Sequence, residues 1–177
     1  RVAASLEQQG VQVDVLDLSG VQNYAEVVRS YVNRHPIRKF GITATTPQFP
    51  AVCRIEETIR DSHPSVFGIT LGGPHPTLVA AAVKSESKAG TDGRAHEAMR
   101  EMLSRFHTVV AGDGEMIPFD VMFGGGLIDA DDPTGPYFMT DVTYTRAPRE
   151  SRHLIDLDSY HYSIEGHRAT TLIAQLG

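Results

Sequence analysis

Apolar positions along the 177-residue chain change period repeatedly, from helical to alternating and back. Residues 2–9 have helical composition and stop at Gly10, after which Val11, Val13 and Val15 alternate with polar neighbours towards Leu18, as in a half-buried strand. Tyr24 to Asn33 places Val27, Val28, Tyr31 and Val32 on one side of a helix, and Phe40 to Thr45 then reads as a short strand. A further helix, from about Ala51 to Asp61, carries an inward stripe of Val52, Ile55 and Ile59 and ends before Pro64. Val66 to Leu71 is the next strand. Thr77 to Val83 starts a helix, Lys84 to Gly93 reads as a solvated loop or insertion, and Arg94 to Arg105 resumes the helical pattern. Val109-Val110-Ala111 is an apolar run ending in glycine, the form of a buried parallel strand where it opens into a loop.

Strands alternating with helices imply right-handed crossovers and a parallel sheet covered on both faces, so the fold class is α/β, doubly wound and flavodoxin-like (Rossmann-like). Residues 1–123 are expected to form this domain. From Gly124 the character changes: Gly124-Gly125-Gly126, then little apolar content from Asp129 to Pro136, reads as a linker over 124–168. Residues 169–177 look like one more strand, the expected start of a second domain. The chain opens on Arg1-Val2-Ala3, without methionine and as if inside an element, and is expected to be a fragment whose first sheet strand lies upstream.

In open parallel sheets a ligand sits beyond the carboxyl ends of the strands. The Thr43 to Gln48, Gly72 to Thr77 and Gly112 to Glu115 loops are all expected there, on one rim. Gly72-Gly73 and Gly112/Gly114 let backbone approach a bulky group closely, since glycine has no Cβ and accepts positive φ. That combination points to a binding module for a large cofactor.

Composition narrows the partners. The formal charge is −6 and no basic run interleaves with aromatics, which argues against a direct nucleic-acid partner. No apolar stretch reaches membrane-spanning length and the N-terminus lacks an apolar signal core, so no membrane partner is expected. Cys53 is the single cysteine, which excludes an internal disulfide or a multi-cysteine metal site and fits a reducing cytoplasm.

Gly41-Ile42-Thr43-Ala44-Thr45-Thr46, Gly72-Gly73-Pro74-His75 and Gly112-Asp113-Gly114-Glu115, in this order, resemble the "G-I-[ST]-x-x-T", "G-G-P-H" and "G-E-G-E" features of the N-terminal cobalamin-binding domain of cobalamin-dependent radical S-adenosylmethionine enzymes. The third departs by Asp113 in place of glutamate. Arg152 to Tyr160 resembles the segment leading into the radical barrel, and Thr170 to Gly177 its first strand. Thr43-x-Thr45 with Gly72-Gly73 is also similar to the Ser-x-Leu and Gly-Gly strand ends of cobalamin domains in methionine synthases and mutases. Their histidine-bearing loop would fall before Arg1.

The resemblance implies cobalamin as cofactor, with Thr43, Thr45, Thr46 and Gln48 offering polar groups to its tail or corrin amides. Gly72 and Gly73 would line the tail with backbone, with Pro74 and His75 beside them at the site, and Gly112 and Gly114 would form the opposite wall, with Asp113 beside them and Glu115 able to accept a ribose hydroxyl. His75 is expected at the corrin edge or in solvent and not on cobalt. No residue of this chain is expected to be catalytic or to ligate a metal. The parent enzyme is implied to carry a 4Fe-4S cluster and S-adenosylmethionine in a C-terminal radical barrel of the same polypeptide, and most often to transfer a methyl group, while this fragment binds cofactor only. A flavodoxin-like receiver or nucleotide-binding signalling module would share the sheet. A receiver needs an aspartate where Thr43 to Thr46 stands, and a nucleotide domain a glycine-rich first turn.

Glu56, Glu57, Arg60 and Asp61 read as a solvated helix face, and Cys53 as a packing residue. His153, Tyr160, His161, Tyr162 and His167 match no ligand spacing. Asp129, Asp131 and Asp132 resemble a calcium loop by composition only.

Overall fold

The computed structural model of the protein describes residues 1–63, 66, 68–160 and 163–168. Two helices, α1 (Val2–Gln8) and α2 (Tyr24–Arg34), precede a four-stranded parallel sheet of β1 (Lys39–Thr43), β2 (Gly68–Gly72), β3 (Thr108–Ala111) and β4 (Gly126–Asp129), arranged in chain order. Parallel neighbours cannot be joined by a tight turn, and each crossover here is helical. α3 (Phe49–Ser62) links β1 to β2, α4 (Pro74–Lys88) and α5 (Arg94–Arg105) link β2 to β3, and the short α6 (Phe119–Met122) precedes β4. This is the expected doubly wound α/β pattern.

Side chains leave a strand on alternate faces, and the two faces are covered by different layers. Ile69, Leu71, Val109 and Ala111 bury with Val28 and Val32 of α2, Val52 and Ile59 of α3, Ala80 of α4 and Met102 of α5. Val110 and Ile128 turn the other way and pack with Leu6 of α1, Ile117 and Met122. Ile69, Leu71, Val109 and Met102 are fully buried, each burial stabilising the fold by about 1.5–3 kcal/mol.

Four sequence expectations are corrected. Residues 11–18 carry the alternation of a strand but pair with none among the described residues. Val11 and Val13 pack on one core and Leu18 on the other, so the alternation reports which side chains turn inward, while a strand also needs a hydrogen-bonded neighbour. α4 begins at Pro74, three residues before Thr77, and continues to Lys88, so the polar stretch from Lys84 is mostly helix. Proline suits a first helical turn because its missing N–H has no partner there to lose. Glu56 is buried, not solvated: Arg60 pairs with it along α3 and Arg105 stands 3.8 Å away, so the burial of its charge is compensated. Finally, β4 lies in the segment whose glycines read as a linker. Gly125 (φ +102) and Gly126 (φ +81) make the turn into it, the Gly125 N–H donates to Thr108 Oγ1 at 3.1 Å, and Ile128 buries.

After β4 the chain returns to α1. The Arg1 guanidinium lies 4.2 Å from the ring centre of Tyr144 in α7 (Asp141–Arg146) and pairs with Glu150 at 3.6 Å. The Glu7 carboxylate accepts from the Ser151 hydroxyl and contacts His153 Nε2 at 2.9 Å, and the Tyr160 hydroxyl donates to Asp17. These polar contacts add to the apolar packing of Ala130 and Tyr137 on the second core. β5 (Ser163–Ile164) and β6 (His167–Arg168) form a small antiparallel ladder. The strand expected over 169–177, with His161 and Tyr162, lies outside the described residues.

Candidate cofactor site

Thr43 and Gly72, the last residues of β1 and β2, are register partners, and Ala111 and Asp129 end β3 and β4 opposite each other. The three loops singled out by sequence therefore leave the sheet at one edge. Backbone bonds stitch them: the Ala44 N–H donates to the Gly72 carbonyl at 3.0 Å, and the Ala44 carbonyl accepts from the His75 N–H at 2.9 Å.

The two glycines of the pair have different jobs. Gly73 sits at φ +94, ψ −169, and a Cβ there would overlap Thr43 Oγ1 and stand 3.1 Å from the Ala44 nitrogen, so glycine is needed for the close approach of two loops. A Cβ on Gly72 would meet nothing within 4 Å. Gly72 thus has room for a side chain, as Gly73 does not. Gly112 (φ +85) is closed in, since a Cβ there would lie 2.7 Å from the Asp131 nitrogen, and Gly114 faces Val2 of α1 at an ordinary 3.4 Å.

Thr43, Thr45, Thr46 and Gln48 are all exposed. Gln48 Oε1 accepts from both the Thr45 N–H (3.0 Å) and the Thr45 hydroxyl (2.8 Å), which fixes the short 3-10 turn Thr46–Gln48. Thr46 Oγ1 lies 3.2 Å from His75 Nδ1. His75 does not lie in solvent. Only 8% exposed, it sits in the first turn of α4 with its ring centre 4.4 Å from that of Phe49, and burial lowers its pKa. Pro74 is exposed beside it. Asp113 is exposed and Glu115 half-buried, and neither carboxylate makes a hydrogen bond or ion pair with a described residue.

Two rim features escaped the sequence reading. Thr77 Oγ1 donates to the Gly73 carbonyl at 2.9 Å and accepts from the Gly112 N–H at 2.9 Å, linking two of the loops. Beyond β4, Lys84 pairs with Asp129 at 2.6 Å, and the Asp131 carboxyl is pushed up by its burial and by the nearby Asp113 and Asp129 charges. Nothing local flags Thr77; only the α4 start at Pro74, readable from the proline, would place it one helical turn above Gly73.

Two hollows of about 300 Å³ lie away from the rim, one against α7 and one beside Val32, His35 and His63 at the opposite end of the sheet. Among the described residues no cluster of His, Cys, Asp or Glu is arranged to hold a metal ion.

A family model for the B12 binding domain matches residues 1–116 of the chain. The chain belongs to the B12-binding domain family. The match spans all three rim loops and stops before β4. No curated protein and no solved structure matches the chain significantly. Cobalamin is the ligand that this membership supports. No described helix is long and apolar enough to cross a membrane.

Proposed function

We propose that the rim binds cobalamin with its nucleotide tail detached from cobalt and laid beside Gly72, and that the domain serves a radical S-adenosylmethionine enzyme whose reaction is methyl transfer. The observation that carries the binding mode is the empty space where a Gly72 Cβ would project, at the register partner of Thr43. Thr43 and Thr45 offer hydroxyls to the tail's phosphate or ribose, and Gln48, whose oxygen is held by Thr45, offers its amide hydrogens. Gly73 and Pro74 shape the wall behind it, with Thr46 and His75 holding that wall from within. Gly112 and Gly114, with Asp113 and Glu115 beside them, form the facing wall. When bound, cobalamin supplies a cobalt centre that carries a methyl group or takes part in radical chemistry.

The parent context rests on the order of the three motifs and on the Arg152 to Tyr160 segment. Cys53 is the single cysteine of the chain and a 4Fe-4S cluster needs several thiolates, so the cluster and its S-adenosylmethionine fall to a C-terminal radical barrel of the same polypeptide. This chain alone binds and does not catalyse.

Equilibrium dialysis against hydroxocobalamin, with the visible spectrum of the retained corrinoid, tests the binding. The expected result is stoichiometric retention with the spectrum of a detached tail. No retention by a protein that circular dichroism shows to be folded sinks the reading. For the parent context, anaerobic iron–sulfide reconstitution of this chain should leave no stable cluster. A stoichiometric one would place the cluster in the wrong domain.

A further inference from the structure

We infer that Thr77 is a positioning residue for the cofactor, setting the spacing of the two glycine walls through one hydroxyl. The inference rests on the cobalamin reading and assigns a role to a side chain outside the three recognised motifs.

An amide N–H can only donate, so at 2.9 Å from the Gly112 nitrogen Thr77 Oγ1 acts as acceptor. The hydroxyl has one proton, and the Gly73 carbonyl, 2.9 Å away, receives it. Both roles of a single oxygen are thereby committed, one to the loop after β2 and one to the loop after β3. The Gly73 carbonyl also accepts from the Thr77 N–H at 3.4 Å. The Gly112 N–H has no other partner among the described residues, so its side of the bridge depends on the hydroxyl alone. A Cβ at Gly112 would stand 2.5 Å from Asp131 Oδ1, so the residue has no room for a side chain. The hydroxyl bridge ties the Gly112 backbone to Gly73, and hence to the open space at Gly72. A serine can accept and donate in the same way, whereas valine and alanine can do neither.

The test uses the whole chain, hydroxocobalamin as probe and a matched control. Thr108 Oγ1 likewise accepts a backbone N–H, that of Gly125 at 3.1 Å, but it opens β3 at the end of the sheet away from the rim. Thr77→Val, close in shape to threonine, is expected to raise the cobalamin Kd about tenfold or more, a change of about 1.4 kcal/mol or greater. Thr77→Ser is expected to bind within about threefold of the parent, and so is Thr108→Val even where its urea midpoint falls as far as that of Thr77→Val. Thr77→Ala, which demands no branched packing, stands in if the valine variant does not fold.

Parent-like affinity in folded Thr77→Val or Thr77→Ala overturns the inference, as does an equal loss in Thr108→Val, because affinity would then merely follow stability. Failure of both Thr77 variants to fold overturns it too, since the hydroxyl would be a requirement of the fold. A parent chain that retains no cobalamin overturns the cobalamin reading itself, a result distinguishable from all of these.

Discussion

Gly73 leaves no room for a side chain against Thr43: a Cβ at Gly73 would overlap the Thr43 hydroxyl oxygen. Its φ of +94 and ψ of −169 also fall in a region that is essentially reserved for glycine, where another residue costs about 1–3 kcal/mol. Gly73→Ala should therefore lower the unfolding free energy in urea by at least that much, and Gly73→Val by more. An unchanged midpoint would show that the loops relax apart freely. Because the lesion is in the fold, any cobalamin lost by Gly73 variants says little about direct contact.

Gly72 supplies the clean probe. A Cβ there meets nothing within 4 Å, the residue ends β2, and valine suits a strand, so Gly72→Val should change stability by no more than about 0.5 kcal/mol. Bound cofactor would fill that space, and overpacking it costs about 1–3 kcal/mol, or roughly ten- to a hundredfold in affinity. Ala82→Val, on the exposed side of α4, is the control and should bind as the parent does. Equal affinity of Gly72→Val and the parent would remove the tail from this position.

His75 is held inward by Phe49 and Thr46, and burial favours its neutral form. It is therefore not expected on cobalt. Nitrogen from an axial ligand splits the cobalt hyperfine lines of cob(II)alamin, so the paramagnetic resonance spectrum of the loaded domain should lack that splitting. Uniform ¹⁵N labelling of the protein should leave the spectrum unaltered. His75→Ala should instead lower stability by about 0.5–3 kcal/mol, through the lost packing of a buried ring on Phe49. A ¹⁵N-sensitive splitting that disappears in His75→Ala would make it a ligand after all.

Much of this architecture is legible in the sequence because both faces of the sheet are covered. Ile69-Thr70-Leu71 and Val109-Val110-Ala111 are apolar runs, and the stripe Val52, Ile55, Ile59 gives α3 its inward face. The loops of the rim follow from the glycines that end those runs. What misled was composition without context. Glu56 looks solvated on its own helix, and Arg105, brought in from α5, joins Arg60 in compensating its buried charge. The two apolar residues Leu127-Ile128 are too few to announce β4 beside three glycines, yet the open edge of β3 gives them a ladder. The roles of Gly72 and Gly73 are likewise inseparable by sequence, since they differ in what lies opposite, not in residue type. Thr77 is a helix residue in the sequence and a bridge only once Gly112 is folded against it.

The carboxylate of Glu86, near the end of α4, caps the next helix. It accepts from the backbone N–H groups of Gly93 (3.0 Å), Ala95 (3.1 Å) and His96 (3.3 Å), and lies 2.7 Å from His96 Nδ1. The His96 contact and these amides, at the positive end of the α5 dipole, hold its pKa down at about 2, against an ordinary value of 4.5. A carboxyl whose folded-state pKa is depressed stabilises the fold fully above its unfolded pKa and loses that contribution as pH falls through the folded value. The window therefore runs from about 4.5 down to about 2. Glu86→Gln keeps the shape and removes the charge, so at pH 7 it should unfold at lower urea than the parent. Other carboxylates titrate over the same range in both proteins and cancel in the difference. The gap between the two should narrow below pH 4.5 and close near pH 2. Since α4 also carries His75 and Thr77 at its rim end, loosening its contact with α5 should weaken cobalamin binding only through the fraction unfolded. The absence of any stability gap between the two at pH 7 would show that the charge of Glu86 contributes nothing and that its shape alone caps α5.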